Sequence, residues 1–528
     1  MLAYLVTSQG SRSKQKTMNE KNSLSIGDRP LARVAMTFGA VIVTAPAMAQ
    51  ITDPFPEPVE KRGLFVQIAE LSRLPHTGDF RPPEQDRNPA SWARVSFVRD
   101  TRNGRRFAND SRGFLYELDE NFTPSLYADV GAALTRVIYN RNQSGFIGFE
   151  FHPDFAENGL FYTVHGETAV DNPHPLDFIP PGFSKADVTS HDVIMEWQAV
   201  EPSSSSFEGT QREILRVGQV VTNYSHPFGY IGFNPTSKPG DPDYGLLYTS
   251  GSDLGFSNGL GPNSENPKQT QRLDSVVTAI LRIDPKSPTE TGGVKGLGDY
   301  TIPEINAFAA DGDPNTLGEI YAYGFRNAHR LSWDLDDGTM FATDIGMNHI
   351  EEINIVHEGH NYGWMAREGY WENGMIRPGG SLHELFELAG DVLDGSIPDP
   401  YTYPVAMYDH SEGQAITAGF TYHGEVEALQ GKFVFGDLVR GRLFATDVAA
   451  LKAADDGIPK TIAPIEEIQL YVLNDFGERV YVSMRDLIEL SNGATAARAD
   501  LHLSRTANGE VLITSRMDGK IRMFVPEN

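Results

Sequence analysis

Three stretches of this chain share one layout: an extended run, a short turn ending in glycine, and a second extended run. "RRFANDSRGFLYELD" occupies 105–119, "KFVFGDLVRGRLFATD" 432–447 and "EVLITSRMDGKIRMFV" 510–525. Gly113, Gly441 and Gly519 stand where a tight turn needs positive φ, which glycine adopts without steric cost. Hairpins this far apart call for an architecture that repeats them. Further runs, "LFYTVHG", "GLLYTSGSD", "TAILRID" and "TMFATDIG", also read as strands, whereas helical patterns are short, as at 446–455 and 484–491. The polar stretches 201–211 and 255–271 read as loops between strands, because strand-like sequence resumes after each. The chain is therefore expected to be all-β. Recurrence over about 460 residues favours a β-propeller, with a pair of β-sandwiches as the alternative.

Composition narrows the function classes. No cysteine is present, so disulfides, thiol nucleophiles and thiolate metal sites are excluded. A net charge of −27 repels phosphate backbones and anionic bilayers, which argues against nucleic acid and membrane-surface partners. Any anionic ligand must be held by a local cluster of bases. "RPLARVAMTFGAVIVTAPAMAQ" sets basic residues before the apolar run Val34–Val43 and "AMA" before Gln50, the layout of an export signal cleaved after Ala49. That run is too short to span a bilayer. The expected organisation is a signal with an N-terminal extension at 1–49, a linker at 50–62 and the β-propeller at 63–528, in a periplasmic or secreted protein without membrane insertion.

Two apparent motifs are set aside. "GFSNG" at 255–259 matches a nucleophile elbow, but that elbow needs a helix after Ser257, and Gly259, Gly261 and Pro262 follow. "HELFE" at 383–387 lacks the second histidine of a zinc site. A histidine of more interest ends the run "GFIGFEFHPDFAENG". With a period of two, His152 shares the polar face with Phe146, Gly148 and Glu150, placed to reach a ligand, the alternative being a surface or turn histidine.

The segment 319–364 carries a family likeness. It holds "GFRN" (324–327), "EEIN" (351–354) and "NYGW" (361–364) in the order and spacing of the soluble sugar dehydrogenases that use pyrroloquinoline quinone (PQQ), the glucose/sorbosone dehydrogenase family, which it resembles. "FHPDFAENG", "SHPFGYIGFNP" with "GLLYTSGSDLG", "AITAGFTYHG" and "GEVLITSRMDGKIRMF" extend the resemblance over 63–527. It implies a six-bladed β-propeller with a cofactor pocket on its axis, a small sugar as substrate, PQQ as cofactor and Ca²⁺ to dock it. His152 would be the general base, its imidazole suited by an unperturbed pKa of about 6.5, with Asp154 or Asp171 to orient it. Arg440 and Arg442 would hold the PQQ carboxylates. Asp253 and Asn258 would add polar contacts, and Tyr362 and Trp364 would line the substrate site. Arg326 and Asn327 would organise a loop, and Glu351 and Glu352 would be structural or calcium-associated. In one respect the chain departs from the family: Phe256 stands where some branches carry a cofactor-contacting arginine. Two rival functions follow, a Ca²⁺-dependent lactonase-type hydrolase and a non-catalytic carbohydrate- or protein-binding propeller.

Overall fold

Glycine turns and period-two runs build a chain of antiparallel meanders. The computed structural model describes residues 50–527 apart from 79–90, 135, 140–143, 222–225, 259–268 and 379. The expected signal at 1–49 lies outside the described residues. The three anticipated hairpins are present: Arg106–Asp110 pairs with Phe114–Leu118, Lys432–Asp437 with Leu443–Asp447, and Val511–Ser515 with Lys520–Val525. Gly113, Gly441 and Gly519 turn them with φ of 96°, 74° and 67°. The protein is mostly β. Its helices include Val448–Ala454 and Met484–Asn492, close to the two expected helical stretches.

Three sheets hold four sequential strands each, beginning with Val95–Asp100, Phe146–Phe151 and Tyr230–Phe233, and a fourth begins with Ala328–Trp333 and takes its last strand, Ala406–Asp409, after an excursion into another sheet. A nine-stranded sheet contains two more such runs, opening with Ile416–Thr421 and Leu501–Arg505. The early strand Phe65–Arg73 completes the last run. It pairs antiparallel with Lys520–Val525 and, on its other side, parallel with Glu466–Leu473. The opening strands touch one another in succession, and Leu501–Arg505 packs against Val95–Asp100 to close the circle. Closure removes exposed inner edges.

Between the sheets the alternate residues interdigitate. Phe107, Phe151, Phe161 and Trp197 belong to one buried aromatic cluster, and Trp197 satisfies its indole by donating to Thr163 Oγ1 at 2.8 Å. The expected linker at 50–62 is engaged: Gln50–Ile51 pairs with Leu385–Phe386, and Phe55 meets Trp371 edge-on at 5.4 Å. Among the described residues no helix is long and apolar enough to cross a membrane.

Candidate functional site

Because every opening strand runs in the same direction, the residues that start these strands gather at one end of the central channel and the residues that finish them gather at the other. A cavity of about 280 Å³ occupies the starting end, bordered by His226, Arg326, Arg330, Arg498, Asp500 and Arg516. Such residues sit where a turn delivers the chain into a strand, so their side chains are held by a rigid base.

His226 is buried and held at a left-handed φ of 51°, a conformation rare outside glycine. Its Nδ1 lies 2.7 Å from Asp253 Oδ1. Asp253 is fully buried. Although burial disfavours its charge, His226, Arg326 and Ser257 hold its pKa below the ordinary range. An ionised Asp253 accepts the Nδ1 hydrogen and so leaves Nε2 as the basic nitrogen. Burial and the Arg326 charge push the imidazole pKa down, against the pull of Asp253. The ring is therefore neutral near pH 7. It is a histidine oriented by a carboxylate at the wall of a cavity, the arrangement of a general base.

Cations dominate the rest of the wall. Arg330 is buried and packs its guanidinium 4.1 Å from the centre of the Phe97 ring, and its hydrogen bonds go to Gly229 O, His329 O and His502 Nδ1. Burial, with Arg516 and Arg99 nearby, drives its pKa well down. Burial and Arg94 lower Arg516 to about 9. His329 and His502 are driven down by the same burial and by the adjacent arginines. Asp500, the one acid on the wall among the described residues, is ion-paired with Arg498.

Arg326 and Asn327 are positioned by the segment that follows them in the motif order. Gly324 has φ +83°, and a Cβ there would come within 2.3 Å of Asn361 Oδ1 and 2.8 Å of Gly363 N. Trp364 N donates to Gly324 O at 2.7 Å, so "NYGW" clasps "GFRN". Asp344 Oδ2 accepts from Arg326 N at 2.9 Å. Arg326 in turn donates to the carbonyls of Ile345 and Gly346, fixing that loop on the cavity wall. The expected loop-organising role fits these bonds, and the same two residues also line the cavity.

The structure separates the residues that the sequence reading grouped. His152 ends its strand and lies at the opposite end of the channel. Its Nδ1 accepts from Asp154 N at 3.0 Å and from Asn158 Nδ2 at 2.9 Å, and burial lowers its pKa to about 4. His152 thus locks the Pro-Asp turn. Neither proposed orienting carboxylate serves it: Asp154 stands 3.9 Å away, and Asp171 is exposed. Arg440 and Arg442 border another cavity, beside Lys61 and Tyr481. Arg440 donates to His410 O at 2.9 Å, and Arg442 is ion-paired with Glu412 and Glu467. Neither borders the channel cavity, although the adjoining Leu438 and Val439 do.

Asp253 lies behind the wall as the partner of His226, while Asn258 ends the short turn Phe256–Asn258 and its side chain is outside the described residues. Tyr362 is a core residue, stacked on Phe325 at 4.3 Å, donating to Ile355 O at 2.7 Å and accepting from His357 N at 2.8 Å. Trp364 is buried and supports Arg326, whose guanidinium is 5.8 Å from its ring. Phe256 is fully buried against Phe183. Glu351 accepts from Ile416 N at 2.8 Å and pairs with His410, and Glu352 accepts from Gly369 N at 2.7 Å, both structural bonds. The sequence reading missed His226, Arg330, Arg498, Asp500 and Arg516. Their shared signal is position: each stands within four residues of a strand boundary at this end of the channel.

Comparison with known proteins adds an independent line. The profile of the family described as Glucose / Sorbosone dehydrogenase matches residues 127–469. The chain is 28% identical to the HIPL2 protein of Arabidopsis thaliana over 331 residues, 57% of this chain and 44% of that protein. It is 26% identical to the quinoprotein glucose dehydrogenase B of Acinetobacter calcoaceticus over 238 residues, 43% of this chain and 41% of that one. It spans about half the length of the curated relatives it matches. Among solved structures, the soluble aldose sugar dehydrogenase of Escherichia coli in its apo form superposes with a TM-score of 0.54 at 17% identity, covering 88% of this chain and all of that one.

Proposed function

Because the chain belongs to the glucose/sorbosone dehydrogenase family, we propose that it is a PQQ-dependent oxidoreductase acting on a hydroxyl-bearing carbon of an aldose or related sugar. The observation that carries this reading is the His226–Asp253 pair beside a cavity walled by four arginines and one paired aspartate. The runs of four strands around the channel are read as six propeller blades, supported by the closed succession of opening strands. An exported, periplasmic protein remains the reading of the sequence at 1–49.

The donor set fits PQQ. A ligand with three carboxylates needs concentrated positive charge, and Arg330 is a buried cation that bonds to two backbone carbonyls and to His502 Nδ1. Arg326, Arg330, Arg498 and Arg516 would hold the cofactor, which when bound supplies the hydride acceptor. The protein's own part is positional and protolytic. The arginines would hold the bound group, while His226 Nε2 would take the hydroxyl proton of the sugar. Asp253 stabilises the imidazolium that results and keeps the ring in the productive tautomer. A Ca²⁺ ion would need hard oxygen ligands; among the described residues the wall offers one carboxylate, paired with Arg498, beside the amide oxygens of Asn327 and Gln414 and backbone carbonyls. A single paired carboxylate disfavours a lactonase-type hydrolase built on axial carboxylates.

The test is calorimetric titration of PQQ into the apo-protein, followed by spectroscopy of the bound quinone after sugar addition. Binding that Arg330→Met and Arg516→Leu weaken, with reduction that His226→Ala abolishes, is the expected outcome. Absence of binding to the unaltered protein overturns the proposal.

A further inference from the structure

The far end of the channel holds a second cavity of about 220 Å³, bordered by the residues that finish the opening strands. Phe97 stands between the two ends. Its ring lies 4.1 Å from the guanidinium of Arg330 on one side of the channel and 4.8 Å from that of Arg99 at the other. The second cavity therefore has its own chemistry.

Its charges do not cancel. Asp100 is satisfied by Arg106, with bonds of 2.7 and 2.8 Å to its two oxygens. Glu150 faces Arg99 Nε at 3.4 Å and accepts from Phe151 N at 3.0 Å. His152 is neutral, its Nδ1 committed to its own turn. Arg505 has no carboxylate at hydrogen-bonding distance among the described residues. It donates to Trp333 O at 2.8 Å and lies 5.5 Å from the Phe420 ring. Burial lowers its pKa to about 10. Arg99 Nη2 is buried and has no acceptor among the described residues. Arg102, also on this wall, donates to Ser237 O at 2.6 Å. Arg505 is a buried cation without a carboxylate partner among the described residues, and Arg99 shares its one acid, Glu150, through Nε alone; such a charge is expensive to bury, and a bound anion repays that cost.

The remainder of the wall says what kind of anion. Phe233, Trp333 and Phe420 supply aromatic surface and Ser332 a hydroxyl, while Asn234 and Thr506 are held by bonds within their own turns. An inorganic ion would use the arginines and leave that surface idle. We propose that this second mouth binds a small organic carboxylate, its carboxylate between Arg99 and Arg505 and its body against the aromatic wall. The assignment is independent of the redox reading of the first cavity.

Gluconate, a carboxylate carrying hydroxyls, is the probe, titrated calorimetrically into the full chain in low-chloride buffer at neutral pH. The expected result is one binding event that Arg505→Gln weakens at least tenfold and Arg516→Gln, at the first mouth, leaves unchanged. Sulfate should compete at least tenfold less well. Three results overturn the proposal: no binding to the unaltered protein, loss on Arg516→Gln but not on Arg505→Gln, or competition by sulfate at equal concentration. Should Arg505→Gln fail to fold, gluconate soaked into crystals of the unaltered protein gives the answer directly. Density between Arg99 and Arg505 supports the site, and density elsewhere or none removes it.

Discussion

Asp253 meets His226 at 2.7 Å from inside the protein, so the imidazole is oriented by a carboxylate that solvent does not reach. A buried acceptor of this kind fixes both tautomer and ring angle. Asp253→Asn keeps the shape and removes the charge that favours a protonated ring. Turnover of the PQQ-loaded protein should fall by about 10²–10⁴, with PQQ affinity little changed. Steady-state kinetics across pH, beside a calorimetric measure of PQQ binding, checks both halves. An unchanged turnover would remove His226 from the chemistry.

His152 offers the matching control. Its two hydrogen bonds close the turn at 152–158, far from the first cavity. His152→Ala should leave turnover within about twofold while costing about 1–2 kcal/mol of stability through the unpaired groups it leaves. Denaturant unfolding and kinetics on one preparation suffice to test this.

Arg330 presents a conflict between stability and binding. Its charge is buried against Phe97, and its hydrogen bonds go to the neutral Gly229 O, His329 O and His502 Nδ1. Arg330→Met keeps the packing and removes the desolvation cost, so the apo-protein should gain about 1–3 kcal/mol. PQQ affinity should drop at least tenfold in the same variant. A urea midpoint that falls, or PQQ binding that is unaffected, contradicts the assigned role.

The hairpins were legible because glycine at positive φ is a local requirement, visible at Gly113, Gly441 and Gly519 without tertiary information. The clasp between "GFRN" and "NYGW" was legible as a motif, though its reason, the approach of Asn361 and Gly363 to Gly324, is tertiary. The choice between His152 and His226 was not a local matter. Both precede proline, but one finishes an opening strand and the other leads into one, and only the common direction of those strands sends them to opposite ends. The same reason hid Arg498, Asp500 and Arg516, brought to the cavity from the final run of strands. Arg440 and Arg442 misled because a hairpin turn with two alternating arginines looks like an anion site. Glu412 and Glu467, the acids that neutralise Arg442, come from elsewhere in the chain.

Glu352 and Asp344 face each other across paired strands behind the Arg326 turn, and both are desolvated. Burial raises both carboxyl pKa values, the Glu352 charge raises Asp344 further, and the Glu368 and Glu351 charges add to the rise at Glu352, so the folded protein holds a proton there that the unfolded chain releases in the ordinary carboxylate range. Between that range and neutrality the folded state binds more protons. Stability from this pair is therefore full in mild acid and is lost as pH rises through the elevated range. Glu352→Gln makes one partner permanently neutral and able to donate to Asp344. The variant should lose that part of the pH dependence and be more stable than the unaltered protein above neutrality, with little difference in mild acid. Thermal unfolding of the two proteins from mild acid to mild alkali reads the crossover. Parallel curves would show that the pair is ionised in both states and that Arg326 or another cation compensates it.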